Sequence, residues 1–267
     1  MKICSTENMR IAERELIVSG TPARTLMQQA SAGIAEAIMQ FFPVPGLCVA
    51  YLGKGNNAGD AITVLNILQR HGWDTGFRAA YPRSEWRELP LRQFAEISPP
   101  LLEYQEAPLP VTGRPMVLLD GLLGIGTSGL LNKEIAGLCA EMNYLRDRCG
   151  AVRTVAVDIP TGIDADTGMP QEHAVEADFT MCIGAVKQGL LDDDATLHVG
   201  RLVCIELPGL HVQALPATEI ITSSRLTKFL SARPYTDYKN KRGHLGVIAG
   251  SEAVSYTHLR AHETLSD

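Results

Sequence analysis

The chain has 267 residues, 45% apolar and 20% charged, with a formal net charge of -6. That length allows one large α/β domain, or one domain with part of another, and the composition excludes a disordered polymer. The acidic balance argues against a nucleic-acid groove or a polybasic membrane patch, and no apolar run reaches the ~20 residues of a spanning helix.

The opening MKICSTENMR turns polar at once, without a signal-peptide core. A first helix is expected from near Thr6. Thr21-Pro22 reads as a cap followed by proline at the first position of a second helix. There Leu26, Ala30, Ile34, Ala37, Ile38 and Phe41 recur at three- and four-residue steps. Pro43 and Pro45 stop it ahead of a short apolar run, Leu47 to Leu52. Gly53 to Asp60 reads as a loop. Ala61 to His71 then reads as a helix buried through Ile62, Leu65 and Leu68 and closed by His71-Gly72.

Further strands are expected at Phe77–Ala80, Met116–Asp120, Thr154–Asp158, Phe179–Ile183 and Leu202–Glu206. Between them lie a stretch around Ser84–Ile97, interrupted by Pro90, and a helix from about Leu130 to Tyr144. VLLD and TVAVD are apolar at consecutive positions, which suits a mostly parallel sheet covered by helices on both faces. The six cysteines form no CxxC pair, and several sit in apolar runs, so they read as buried thiols in a reducing compartment. A cytoplasmic location is the expectation.

Composition changes near residue 207. Leu207-Pro208-Gly209 and the Ala/Pro segment up to Thr218 read as a closing edge, and Arg225–Arg242 is basic. Gly243–Ser251 reads as the opening strand and glycine turn of another domain, with too little chain beyond it for a second core. The expected division is a domain over 1–215, a linker and truncated domain start over 216–253, and a non-native tail over 254–267.

Three segments carry candidate chemistry. Gly53-Lys-Gly-Asn-Asn-Ala-Gly-Asp60 lies between a strand and a helix, where glycines expose amides and a helix N-terminus suits anionic groups. Its Gly53, Gly55 and Ala58 fit the loose dinucleotide pattern, while the triphosphate P-loop pattern is absent. Asp120-Gly-Leu-Leu-Gly-Ile-Gly-Thr-Ser-Gly129 ends a buried strand in a carboxylate and passes into a glycine-rich turn able to wrap a diphosphate, or into a hinge. Asp158-Ile-Pro-Thr-Gly-Ile-Asp-Ala-Asp-Thr-Gly168 again delivers an aspartate to a strand end, with Asp164 and Asp166 suited to turn caps.

In an open parallel sheet, ligands bind outside the carboxyl ends of the strands. Asn57, Asp120 and Asp158 all come from such ends and can converge. Two carboxylates together either raise one pKa for proton transfer or call for a cation. Carboxylate, amide and hydroxyl oxygens suffice for a hard cation. HExxH and the GxSxG elbow are absent.

The chain resembles the NAD(P)H-hydrate epimerase family, the N-terminal domain of the YjeF-type repair proteins. The matching residues are Asn8-Met-Arg10, Leu26-Met27 with Ala30, Gly55–Asp60, Asp120–Gly126, Val157–Gly168 and Gly184-Ala-Val-Lys-Gln-Gly-Leu190. The resemblance spans roughly residues 1–210. It implies a three-layer Rossmann-like α/β sandwich, a homodimer, and interconversion of the R and S forms of NADHX and NADPHX with potassium at the site. By the same resemblance, potassium falls on Asn57, Asp120 and Thr161. Substrate contacts fall on Asn56, Asn57, Ala58, Gly59, Asp60, Gly124, Ile125, Gly126, Thr127, Ser128, Gly129, Leu130 and Asp158. Ala58 stands where the family has glycine and is tolerated at negative φ. Thr161 replaces a common serine and keeps the hydroxyl; Val186 and Gln188 replace frequent prolines. Arg233 to Ser251 resembles the entrance of the ADP-dependent NAD(P)H-hydrate dehydratase domain, so dehydration is not expected of this chain.

Epimerisation at C6 of the hydrated nicotinamide ring is the leading reading, with Asp158 as general acid and base and Asp120 able to take either role. An NAD(P)-dependent oxidoreductase requires an acid about 20 residues beyond the glycine loop, or a basic group there. Asp74 and Arg78 lie near that place. A non-catalytic nucleotide- or protein-binding module is the third reading. No nucleic-acid or membrane partner is expected.

Overall fold

A computed structural model describes residues 1–107, 113–126, 129–215 and 220–227. The chain divides into two compact units, Met1–Ile221 and Thr222–Asp267. In the first, seven strands form one sheet: β2 (Leu47–Leu52), β3 (Asp74–Ala79), β4 (Leu102–Glu103), β5 (Met116–Gly121), β6 (Val152–Val157), β7 (Phe179–Ile183) and β9 (Arg201–Ile205). Their order is β4-β3-β2-β5-β6-β7-β9, with every pairing parallel. The short strands β1 (Ile3–Cys4) and β8 (Val186–Lys187) pair separately, also in parallel. The second unit is described only through α7 (Ser223–Leu226); apart from 220–227, the expected linker, domain start and tail lie outside the described residues.

The sheet is buried on both faces, as consecutive apolar positions require. On one face Cys48, Ala50, Leu52, Val117, Leu119, Val155 and Val157 pack with α2 (Ala23–Phe41) and α3 (Asn56–Arg70). On the other, Leu47, Val49, Tyr51, Met116 and Leu118 pack with Ile135, Cys139 and Met142 of α5 (Lys133–Arg148). Alternate residues of one strand thus serve opposite layers. This is the expected three-layer sandwich. Among the described residues no helix is long and apolar enough to cross a membrane.

Helix starts differ from the expectation where tertiary contacts override local signals. Pro22, not Thr21, is the N-cap of α2, and no side chain caps it. The α3 helix begins at Asn56, so Asn56 to Asp60 form its first turn and not a loop. Pro90 lies within α4 (Glu88–Ala95), near a helix start where its missing N–H costs little. The first helix, α1 (Thr6–Val18), is capped by Ser5, whose side chain accepts from the Asn8 N–H at 3.2 Å. Asp166 also accepts from the Thr6 N–H at 2.8 Å, tying α1 to the loop after β6.

The chain order reverses between β2 and β5. After β2 it builds outward through β3 and β4, then returns to place β5 on the other side. Such a reversal opens a crevice beyond the strand ends. There the Gly53 N–H bonds the Gly121 carbonyl at 3.2 Å. A Cβ on Gly53 would meet the Leu122 carbonyl oxygen at 1.9 Å, and one on Gly121 would meet Ala61 Cβ at 2.5 Å. Glycine is required at both for the loops and α3 to close up.

Candidate active site

A cavity of about 440 Å³ occupies this crevice. Its walls come from α1 and α2, the first turn of α3, the loop after β5, and Asp158 beyond β6. Leu26, Met27 and Ala30 give one wall an apolar surface. A neighbouring cavity of about 360 Å³ lies toward the loop after β6, and Gly124 and Ile125 line both. Arg10 also lines both and donates to the Ile125 carbonyl at 2.6 Å, bracing the glycine turn from α1.

Asp120, the last but one residue of β5, has no solvent exposure. Its Oδ1 accepts from Thr161 Oγ1 at 2.7 Å and from the Leu122 N–H at 3.2 Å; Oδ2 accepts from the Thr161 N–H at 2.7 Å. Thr161 Oγ1 in turn accepts from the Leu123 N–H at 3.1 Å, and Asn57 Nδ2 donates to the Leu123 carbonyl at 2.9 Å. Burial pushes the Asp120 carboxyl up to about 6, against the bonds from Thr161 and Leu122. These groups bring carboxylate, hydroxyl and carbonyl oxygens together around a buried acid, with the Asn57 amide bonded to the same turn through its nitrogen, a donor chemistry that fits a hard cation. Among the described residues no cluster of three His, Cys, Asp or Glu could hold a metal, so such a site needs the neutral oxygens too.

Asp158 is placed differently. Its backbone has φ 69°, a left-handed conformation that aspartate tolerates better than most residues. Oδ1 accepts from the Ile183 N–H at 3.0 Å and from Lys187 Nζ. Lys187, fully buried, also donates to the Ile183 carbonyl at 2.9 Å. Asp60 on α3 faces the same cavity. Burial, then the charges of Asp158 and Glu13, push the Asp60 carboxyl well above the usual range, with Ser31 opposing. Glu13 on α1 is pushed up by burial and by Asp158, with Lys187 and Arg10 opposing.

The expected pairing of Asp120 with Asp158 therefore needs correction. Asp120 is enclosed by Thr161 and the turn after β5, whereas Asp158 is ion-paired with Lys187 and shares its cavity with Asp60 and Glu13. Each strand delivers its carboxylate, but the chain beyond β5 folds over the first.

Asn56, Asn57 and Asp60 line the main cavity, as do Gly124, Ile125 and Gly126. Ala58 and Gly59 belong to the helix and are buried: Ala58 packs in the core, and a Cβ on Gly59 would meet Met27 Cε at 2.7 Å. Ala58 has no positive φ, so alanine fits there. Gly129 and Leu130 line the second cavity; Thr127 and Ser128 lie outside the described residues. Asp164 serves as a turn cap, accepting from the Asp166 and Thr167 N–H groups at 2.9 and 2.8 Å. Three site residues were missed: Arg10, Glu13 and Lys187. Arg10 and Lys187 lie in motifs recognised without a role; Glu13, an acid in an amphipathic helix, gave no signal.

The residues an oxidoreductase would need are committed elsewhere. Asp74 starts β3, at the opposite end of the strand from the crevice, and pairs with Arg114 at 2.7 Å. Arg78 is bidentate to Glu141, at 2.9 and 2.7 Å.

The profile of the family described as "YjeF-related protein N-terminus" matches residues 23–189. The "NAD(P)H-hydrate epimerase" of Clavibacter michiganensis subsp. michiganensis is 31% identical over 225 residues, covering 82% of this chain and 94% of the relative. The "Bifunctional NAD(P)H-hydrate repair enzyme Nnr" of Synechocystis sp. is 26% identical, covering 94% of this chain and 48% of the relative. This chain thus spans about half the length of the bifunctional relatives it matches. In fold it is similar to the crystal structure of yeast ynu0, with a TM-score of 0.61 at 19% identity, covering 76% of this chain and 87% of that one. With the family profile matching most of its length, the chain belongs to the family of YjeF-related protein N-termini.

Proposed function

We propose that this chain is an NAD(P)H-hydrate epimerase, equilibrating the R and S forms of NADHX and NADPHX at C6 of the hydrated nicotinamide ring. The observation that carries it is the cavity at the strand-order reversal, where an ion-paired aspartate, Asp158, shares the lining with a second one, Asp60, whose carboxyl burial pushes well above the usual range. Burial pushes the Asp60 carboxyl up, and the Lys187 ammonium pairs with Asp158, so the two carboxyls can divide acid and base roles between them.

The chemistry follows from that division. The lone pair of the ring nitrogen forms the N=C6 bond as the C6–O bond breaks, and Asp60 donates the proton that lets the hydroxyl leave as water. The Asp158 carboxylate faces the planar cation and favours it. Water returning to the opposite face loses its proton to Asp158, and C6 is inverted. Transfer of that proton back to Asp60 restores the enzyme. The general-acid role expected of Asp158 thus passes to Asp60, because Lys187 occupies Asp158 as an ion pair.

Potassium is part of this reading. Asn57, Asp120 and Thr161 would hold it, and its charge would neutralise the buried Asp120 and brace the loops. The glycine turn after β5 and the first turn of α3 supply main-chain donors for the diphosphate, with Arg10 at their seam. The six cysteines are free thiols, which suits a cytoplasmic setting. Homodimerisation rests on the family resemblance.

The decisive assay starts from a separated R or S hydrate and follows loss of stereochemical purity against an enzyme-free control. Equilibration no faster than that control would overturn the reading. Steady reduction of NAD(P) with common alcohols would instead favour an oxidoreductase.

A further inference from the structure

We propose that Lys187 is a positioning residue: it holds Oδ1 of Asp158 so that Oδ2 alone is presented to the bound ring. The proposal rests on the epimerase reading of the same cavity. It begins in the turn after β7. Gly184, at φ 75°, lets the chain reverse, and Lys187 returns on β8 to bond the carbonyl of Ile183. The N–H of Ile183 bonds Asp158 Oδ1, which also receives Lys187 Nζ. Asp158, Lys187 and Ile183 therefore close a ring of hydrogen bonds on one carboxylate oxygen. Oδ2 accepts no hydrogen bond among the described residues, and Asp158 lines the cavity.

The ammonium has nowhere else to go. Lys187 stands in register with Cys4 on β1, and both are fully buried, as is Cys182. Burial opposes the Lys187 charge, and Asp158, followed by Cys182, outweighs it, leaving the ammonium pKa above its usual value. The other titratable groups acting on Asp158 are Glu13 from α1, Asp60 from α3, Cys4 from β1, Cys182 from β7 and Cys204 from β9. All of them become negative on ionising; Lys187 is the cation bonded to Asp158, and Arg10 on α1 also opposes Glu13. Without it, Asp158 would face Asp60 and Glu13 as a third acid competing for protons. A buried carboxylate stripped of its cation takes up a proton or turns away from its place. Either outcome removes the base the ring requires.

The test compares Lys187→Met, which removes charge and bonding, with Lys187→Gln, which removes charge but keeps a donor. Folding is followed by circular dichroism and melting, binding by titration with unhydrated NADPH, and turnover by kcat and KM against pH from one separated hydrate. The Asp158 carboxyl is titrated separately by carbon-13 NMR, with Asp158→Asn providing the assignment. The proposal expects folded variants that keep NADPH affinity within about threefold and lose roughly tenfold or more in kcat; both the acid limb of kcat and the Asp158 titration should move up by about one unit or more. An unmoved titration and acid limb in folded variants would overturn it, as would a loss confined to KM. Failure of both variants to fold would make Lys187 a folding residue and overturn it as well. If the parental chain does not equilibrate the hydrates, the epimerase reading falls, while the titration, which needs no turnover, still decides whether Lys187 holds Asp158.

Discussion

Thr161 donates twice to Asp120, from its backbone N–H to Oδ2 and from its hydroxyl to Oδ1, each at 2.7 Å. The same hydroxyl accepts from the Leu123 N–H at 3.1 Å, so one small side chain links a strand-end acid to the glycine turn beside it. Thr161→Ser keeps every bond and should leave stability and activity close to the parent. Thr161→Val keeps the shape but leaves the Leu123 N–H without a partner and Asp120 Oδ1 with the Leu122 N–H alone. It should cost about 1–3 kcal/mol, the usual penalty for an unsatisfied buried group, read from the urea midpoint. A valine variant as stable as the serine one would show that the hydroxyl is not what ties the turn to Asp120.

The pH dependence of the same acid tests the potassium reading. Burial pushes Asp120 up to about 6 from the ordinary 3.8, so without a cation its contribution to stability is full below pH ~4 and is lost as pH rises through ~6. The loss amounts to about 3 kcal/mol at most. Potassium binds the charged form and should offset that loss. The expected result is a higher Tm in potassium than in a bulky organic cation at pH 7.5, with the difference shrinking below pH ~6 and absent in Asp120→Ala. A potassium increment that is the same at pH 5 and pH 7.5 would place the ion elsewhere.

How much of this was legible depends on how local each signal was. Leu47–Leu52 and Phe179–Ile183 were bounded correctly because strands buried on both faces stay apolar from end to end. The same rule exposed Asp120 and Asp158, each an acid at the end of such a run. Asn56 to Asp60 were misread as loop because Gly, Asn and Asp are turn formers. Their helical start depends on Gly121 letting α3 pack against β5, a contact between residues far apart in sequence. The strands β1 and β8 are two residues each, too short for any period to show. Lys187 was legible as part of a motif but not as a buried ion, since one lysine among apolar residues is ordinarily placed at the surface. Its partner lies 29 positions earlier in the chain.

Asp158→Asn keeps the size of the side chain and removes its ability to exchange a proton near neutral pH. Epimerisation should fall by roughly 10²–10⁴-fold, the scale of a positioned proton-transfer group. Affinity for unhydrated NADPH should change far less, because the diphosphate is assigned to the glycine turns and Arg10. A folded Asp158→Asn protein that equilibrates the hydrates at the parental rate would remove Asp158 from the chemistry.

Asp60→Asn separates the two carboxyls. Burial, Asp158 and Glu13 together push Asp60 well above the usual range, so the folded protein holds it neutral where the unfolded chain would ionise it. Its contribution to stability is therefore greatest in acid and is lost as pH rises from the ordinary carboxylate range toward its folded pKa. Asparagine is neutral at every pH. The variant should match the parent in acid and melt higher than it under mildly alkaline conditions. Epimerisation should fall all the same, by about 10²-fold or more, because the amide has no proton to give the leaving hydroxyl. That combination, a more stable protein with slower turnover, distinguishes a proton donor from a residue that only packs the first turn of α3. The measurement is a pair of melting curves at pH 5 and pH 8 beside the stereochemical assay. Full activity in a folded Asp60→Asn protein would return both the acid and the base role to Asp158, and loss of stability at pH 8 would mean that Asp60 is charged in the fold.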